Sequence, residues 1–310
     1  MTLRRVLIIC FFLIPLLLFS FQTEKFQIQT VQTASLQTEI LQTPGGVNLE
    51  FAFRAYQPGE IILVTLKENP SLKRATIRFQ GRDYHLEKKE NGGAIFVFIG
   101  LDLGLKPDRY LIKVSIERED GGKDFSQKEI FVQPKKFPVK KLWVKGEFVT
   151  PPPEVQERIQ RESDLLQAVY SIITPDWLGR GEFILPFSGR AVPNFGERRI
   201  YNNVPRSLHA GVDVAAPLGT PIQASNSGKV VLASDLYFSG KTVIIDHGLG
   251  LFTFYCHFSR LMVKRGDWVN KGDVIGKAGS TGRSTGPHLH WGVKVYDSRV
   301  DPFSLISLPL

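Results

Sequence analysis

Three short stretches of this chain carry side chains that can hold a cation or move a proton. In His209-Ala210-Gly211-Val212-Asp213, an imidazole and a carboxylate on a turn and strand can converge on one ion. Nitrogen and oxygen donors of this kind suit zinc. Alone, such a pair is common by chance, and a structural role is the ordinary reading. In Thr285-Gly286-Pro287-His288-Leu289-His290-Trp291-Gly292-Val293, two histidines flank one apolar residue. On a strand, positions i and i+2 face the same side. His288 and His290 therefore share a cavity, while Leu289 and Trp291 point to the opposite face. Two adjacent imidazoles repel when both are protonated, so the arrangement makes most sense around a metal or a shared proton path. In Thr253-Phe254-Tyr255-Cys256-His257, alternation places Thr253, Tyr255 and His257 on one face and Phe254 and Cys256 on the other. Cys256 then belongs to the core, and a Cys256–His257 nucleophilic pair fails because neighbouring strand residues point oppositely.

Taken together and in this order, the three stretches resemble the lysostaphin-type (LytM-type) zinc metallopeptidases. That pattern is H-x-x-x-D, a Tyr-x-His segment, then H-x-H after a glycine-rich loop. The resemblance covers residues 181 to 305 and extends to Pro217-Leu218-Gly219-Thr220-Pro221-Ile222 and to Gly272-Asp273-Val274-Ile275-Gly276-Lys277-Ala278-Gly279. It implies that His209, Asp213 and His290 ligate one zinc per chain, with a water completing the tetrahedron. It also implies His288 as general base, and His257 as oxyanion stabiliser or proton carrier, with roles that could be exchanged. The substrate class it implies is the peptide part of peptidoglycan.

His247, in Asp246-His247-Gly248-Leu249-Gly250, sits where a strand enters a tight glycine turn and reads as structural. The loop from Gly279 to Gly286 offers backbone and hydroxyl groups to an extended peptide and reads as a groove wall. Tyr201 stands upstream of His209 at a spacing that does not place it in the catalytic set.

The elements that must position these residues are mainly β. From Leu49 to about Val132 the apolar residues follow period two (Leu49, Phe51, Phe53; Tyr110, Ile112, Val114, Ile116). Turn signals such as Gln57-Pro58-Gly59, Asn69-Pro70, Asn91-Gly92-Gly93 and Asp120-Gly121-Gly122 separate them. This predicts an N-terminal Ig-like β-sandwich over 48–134. After Pro151-Pro152-Pro153, the residues Val155, Ile159, Leu165, Leu166, Val169 and Ile172 fall near helical spacing, predicting a short helix in a linker over 135–180. Residues 181–310 form the expected C-terminal β-sheet peptidase domain and hold five of the six histidines.

Arg4 and Arg5 precede a nearly unbroken apolar run from Val6 to Phe21, which predicts an export signal or N-terminal membrane anchor over 1–21. Export implies a periplasmic or cell-envelope location. Cys10 lies in the middle of that run rather than at its end, against lipidation. Residues 22–47 repeat Gln-Thr and bury few large groups, predicting a flexible tether. The net charge of +9 favours anionic partners. For an exported chain these are envelope surfaces rather than nucleic acid. A protein partner could dock on the sandwich. Two competing readings are a catalytically silent relative that regulates another wall hydrolase, and a lipoyl-type carrier hairpin at Gly266–Gly276 with Lys271 modified. The first is disfavoured because all three ligand positions are filled. The second leaves the histidines unexplained.

Overall fold

The computed structural model describes residues 35–66, 72–87, 95–187, 189 and 191–310. The export segment, residues 22–34 of the tether and the turns at Asn69-Pro70 and Asn91-Gly92-Gly93 lie outside the described residues. The described residues all fall within one compact unit spanning 33–310. Among them, no helix is long and apolar enough to cross a membrane.

Eight strands form the N-terminal part: β1 (Gln37–Gln42), β2 (Asn48–Phe53), β3 (Ile61–Leu66), β4 (Leu72–Phe79), β5 (Arg82–Glu87), β6 (Ile95–Gly100), β7 (Asp108–Arg118) and β8 (Lys123–Val132). They pair as two antiparallel sheets, β1-β2-β3-β6 and β5-β4-β7-β8. Leu49, Phe51, Ile62 and Val64 of the first sheet pack against Ile77, Ile112, Val114 and Ile116 of the second, so the two make the expected sandwich. The first sheet has no solvent face over β3 and β6. Its other side, through Ile61, Leu63 and Phe98, joins the core of the C-terminal part. That double burial explains why β3, but for Thr65, and β6 read as apolar runs rather than as strict alternation.

The tether expectation is corrected between residues 37 and 42. β1 is an edge strand paired along its whole length with β2, from Gln37↔Phe53 to Gln42↔Asn48. Ladder hydrogen bonds, with the Glu39 contact to the Tyr56 hydroxyl at 3.0 Å, offset the ordering entropy that its polar composition alone would not.

The connecting segment contributes β9 (Val139–Leu142) and the helix α1 (Pro153–Ser171), with Pro153 at the helix start. This helix is more than a connector. Its buried Val169 packs with Leu232, Leu236, Ile244 and Phe252 on the outer face of the main sheet.

The C-terminal part comprises β10 (Ala191–Val192), β11 (Arg198–Tyr201), β12 (Val204–Leu208), β13 (Gly211–Val214), β14 (Pro221–Gln223), β15 (Gly228–Leu236), β16 (Gly240–Asp246), β17 (Leu251–Leu261), β18 (Trp268–Val269), β19 (Val274–Ala278), β20 (Leu289–Val295), β21 (Ser298–Val300) and the helix α2 (Pro302–Ile306). The order β10-β13-β20-β17-β16-β15-β18 forms the main sheet, and β12-β11-β9 forms a small one beside it. Leu289, Trp291, Tyr255 and Val243 fill the inner face of the main sheet. Both halves meet at a buried ion cluster in which Arg54 bridges Glu60 (2.8 Å) and Asp301 (2.8 Å), the residue that caps α2.

Candidate metal centre

Strand register brings the predicted donors together. On β20, His290 lies directly opposite Asp213 of β13 and, on its other side, opposite Cys256 of β17. Facing cross-strand positions lie about 5 Å apart at Cβ, close enough for one ion to be shared. His209 stands immediately before β13, and Gly211 opposite Gly292 leaves the room its motif needs. A Cβ at Gly211 would come within 2.9 Å of the His290 ring and 2.5 Å of the Trp291 carbonyl.

His209, Asp213 and His290 each present one ligand atom within 4.8 Å of the others. His209 Nε2 lies 2.8 Å from His290 Nδ1 and 3.2 Å from Asp213 Oδ1, and His290 Nδ1 lies 3.1 Å from the same oxygen. His209 Nδ1 donates to the Asn194 carbonyl at 2.9 Å, which fixes the tautomer and leaves Nε2 with its lone pair toward the cluster. Burial lowers His290 to about 4, against the opposing pull of Asp213, so its ring is a neutral donor at physiological pH. Burial disfavours the Asp213 carboxylate, yet hydrogen bonds and charge from His209 and His290 outweigh it and hold the carboxyl far below its usual range. Two imidazole nitrogens and one carboxylate oxygen, converging and with outer partners fixed, fit a zinc-type ion.

His288 and His257 border this cluster. His288 Nε2 lies 3.6 Å from Asp213 Oδ1, while its Nδ1 donates to the Gly286 carbonyl at 2.8 Å. His257 Nδ1 donates to the Thr281 carbonyl at 2.8 Å, and its ring centroid lies 4.8 Å from that of His288. Burial, then the proximity of His288 and His290, lowers His257 to about 3. Both rings thus have Nδ1–H engaged and Nε2 left for the cleft.

The placement of His257 departs from simple alternation. Opposite β16 the pairs run Val243↔Tyr255 and then Lys241↔Phe258, so Cys256 and His257 together oppose the single residue Thr242. This β-bulge, with His257 at φ 66°, turns its side chain off the Tyr255 face and onto the cleft beside Cys256. Tyr255 stays in the core, where its hydroxyl meets Ser225 Oγ at 2.6 Å. Cys256 is buried, and burial pushes its thiol up to about 12, which excludes a thiolate nucleophile.

His247 is fully buried away from the cleft, its Nδ1 donating to the Ser227 carbonyl and its Nε2 contacting the Thr253 hydroxyl, both at 2.8 Å.

Several contributors escaped the motifs. Asn194 donates Nδ2 to Asp213 Oδ2 at 2.9 Å, and Arg199 Nη2 reaches the same oxygen at 2.5 Å. Tyr201, left outside the expected set, is buried and lines the cleft with Arg283 stacked over its ring at 4.8 Å. Leu166 and Tyr170 of α1 close one wall of the main hollow, about 260 Å³ in volume. The residues lining this hollow and its smaller neighbour all lie between Lys140 and His290, so none belongs to the sandwich.

A mainly β domain in which two imidazoles and a carboxylate converge, with two more histidines presenting their Nε2 atoms beside them, has the donor set of a metallohydrolase. Comparison with known proteins specifies the class further. The sequence profile of Peptidase family M23 matches residues 207–302. A crystal structure assigned to peptidase M23 from Pseudomonas aeruginosa superposes with a TM-score of 0.62 at 33% identity, covering 82% of this chain and 96% of that one. The chain belongs to peptidase family M23. Among curated relatives, the peptidoglycan DD-endopeptidase ShyA of Vibrio cholerae is 43% identical over 103 residues, 33% of this chain and 24% of ShyA. The DD-carboxypeptidase/endopeptidase Mpg of Neisseria meningitidis is 44% identical over 102 residues, 33% of this chain and 23% of Mpg. The match thus spans less than a quarter of each of these relatives' length.

Proposed function

We propose that this chain is an exported zinc endopeptidase that hydrolyses peptide bonds in the stem peptides or cross-links of peptidoglycan. The observation that carries the reading is the convergence of His209, Asp213 and His290 beside His288 and His257 in one open cleft. In this reading residues 181–310 are the catalytic part, and the sandwich over 48–134 is fixed to it as a separate module. The relatives' printed activities support peptidoglycan as the substrate, and the basic, apolar N-terminus supports an envelope location, anchored or released.

When bound by His209 Nε2, Asp213 Oδ1 and His290 Nδ1, zinc supplies Lewis-acid polarisation of a carbonyl and acidifies a water. The chain's own groups do the rest. His288, with Nδ1–H held by the Gly286 carbonyl, offers Nε2 as the proton acceptor nearest Asp213. His257, neutral and held by the Thr281 carbonyl, offers a second Nε2. It becomes a donor to an oxyanion or a leaving amine only after taking up a proton there, which fits it better for proton transfer than for standing charge stabilisation. The aromatic and aliphatic wall from α1 reduces water access to the main hollow.

The test is digestion of intact peptidoglycan by the zinc-loaded chain, with and without chelator and beside Asp213→Ala and His288→Ala, with mass spectrometry of the released fragments. New amine termini that need zinc and are lost in both variants are expected. A chain that binds one zinc yet releases nothing would refute the peptidase reading and favour a regulator of another hydrolase.

A further inference from the structure

The small sheet beside the cleft has two unlike faces. Its strands read Val-Lys-Lys-Leu in β9, Arg-Arg-Ile-Tyr in β11 and Val-Pro-Arg-Ser-Leu in β12, with a cationic residue in each and no carboxylate in any. Parallel pairing sets Val139 opposite Arg198, Lys140 opposite Arg199, Lys141 opposite Ile200 and Leu142 opposite Tyr201. Lys140, Leu142, Arg199 and Tyr201 line the smaller hollow of the cleft, about 100 Å³ in volume. Alternation turns Val139, Lys141, Arg198 and Ile200 to the opposite face. Trp143 joins them there. Val144 lines the hollow, and its backbone N–H and carbonyl continue the pairing through the Asn202 side chain at 3.0 and 2.9 Å.

That outer face is apolar and cationic at once. Val139 is 62% exposed and Trp143 69%, large groups left in water by the described chain. Lys141, Lys145 and Arg198 are exposed around them and form no ion pair among the described residues, whereas Lys135 is taken by Glu60 and Arg199 by Asp213. From residue 130 to residue 146 the sequence holds five lysines and no acidic residue. Charge of this kind attracts any polyanion. A soluble phosphate polymer, however, would leave the indole and the valine in water. An anionic bilayer takes both kinds of group, because an indole settles at the headgroup level and cations beside it are drawn to the negative surface.

We infer that the outer face of the β12-β11-β9 sheet is a docking surface for an anionic lipid bilayer, with Trp143 and Val139 entering the headgroup region and Lys141, Lys145 and Arg198 held at lipid phosphates. Such a contact leaves the cleft uncovered, since Lys140, Leu142 and Tyr201 face it from the other side of the same sheet. It uses none of the five residues assigned to metal binding and proton transfer, so it stands or falls apart from the peptidase reading.

The experiment uses the full chain with vesicles carrying brominated acyl chains, made either of phosphatidylcholine alone or of equal parts phosphatidylcholine and phosphatidylglycerol. Bromine quenches only indoles that reach the bilayer, so the reading is the contact of Trp143 itself, whatever the N-terminal apolar run does. Quenching in the anionic vesicles that is missing in the neutral ones and lost in Trp143→Phe is expected. Lys141→Gln combined with Arg198→Gln should lower it, the docking equilibrium moving about fivefold per charge at low ionic strength. Raised salt should act in the same direction. These substitutions alter only exposed side chains, so the fold is kept and the comparison stands. Quenching that is absent, equal in the two vesicle types, unchanged in Trp143→Phe or insensitive to the paired charge variant overturns the docking surface. Binding of soluble polyphosphate, with Trp143 left unquenched by the anionic vesicles, also overturns it and assigns the face to an anionic polymer. Docking by a chain that releases no peptidoglycan fragment keeps the surface and discards the peptidase reading, and release of fragments without docking does the reverse.

Discussion

Asn194 holds Asp213 from two directions: its Nδ2 donates to Asp213 Oδ2 at 2.9 Å, and its Oδ1 accepts the Asp213 backbone N–H at 3.0 Å. Its carbonyl also accepts from His209 Nδ1, so one residue orients two of the three donors. Outer partners of this kind are worth about 10- to 100-fold in metal affinity. On the proposed reading of this site as a metal centre, Asn194→Ala is therefore expected to weaken metal binding by about that factor while the chain stays folded, since the carbonyl contact to His209 survives. Competition with a chromophoric chelator measures it. Wild-type affinity in the variant would show that Asp213 needs no such support.

The residues whose meaning is local were legible in the sequence, and those whose meaning depends on distant backbone were not. His288 and His290 share a face because strand alternation holds between them, and Leu289 and Trp291 fall in the core accordingly. Alternation fails at His257, where one extra residue in the ladder reverses the facing. Asn194 carries no motif and acts through contacts 15 and 19 residues away. The part of α1 in the cleft wall was equally hidden. Its spacing predicts a helix, but only the packing of Val169 on the main sheet brings Leu166 and Tyr170 to the site. β1 was hidden because its order comes from β2 rather than from its own apolar content.

The sandwich should be inseparable from the stability of the C-terminal part. Arg54 is buried between Glu60 and Asp301, and Glu60 keeps Lys135 at 3.2 Å as its other partner. Removing one member of a buried ion cluster leaves charge unpaired, at a cost of about 3–5 kcal/mol. Arg54→Met is expected to lose that much in denaturant unfolding, and Arg54→Lys to recover only part, because an ammonium cannot fork between two carboxylates. A loss of under about 1 kcal/mol would show that the joint is wet and weak.

Acid should weaken the fold partly through His247. Burial lowers this ring from 6.5 to about 4, against the raising effect of the Ser227 carbonyl. The unfolded chain takes up the proton first, so stability is full above the ordinary value and falls as pH drops through the window down to about 4. The loss from this one group approaches about 1.4 kcal/mol per pH unit within the window. His247→Gln, read by urea unfolding at several pH values, should be less stable at neutral pH but show a shallower decline. An unchanged slope would place the acid sensitivity elsewhere.

The backbone at His257 should prefer glycine to alanine, the reverse of an ordinary strand. In a regular strand, glycine is less stable than alanine by about 0.5–1 kcal/mol, because it loses more conformational freedom on folding. At His257 the φ of 66° belongs to the left-handed region, where a Cβ crowds the following carbonyl at a cost of about 1–2 kcal/mol. His257→Gly and His257→Ala both delete the imidazole and its bond to Thr281, so that loss cancels between them, and the backbone contribution remains. The glycine variant is expected to be the more stable by about 1 kcal/mol in thermal or denaturant unfolding, with both variants losing peptidase activity. Strain of this size persists only where surrounding structure over-determines it. Here the bulge opposite Thr242 imposes it, and what it secures is an imidazole on the cleft face that an unbulged strand would have turned into the core. An alanine variant as stable as the glycine one would mean that the left-handed turn relaxes once the ring is gone, making the imidazole and its Thr281 contact the cause of the bulge rather than its consequence.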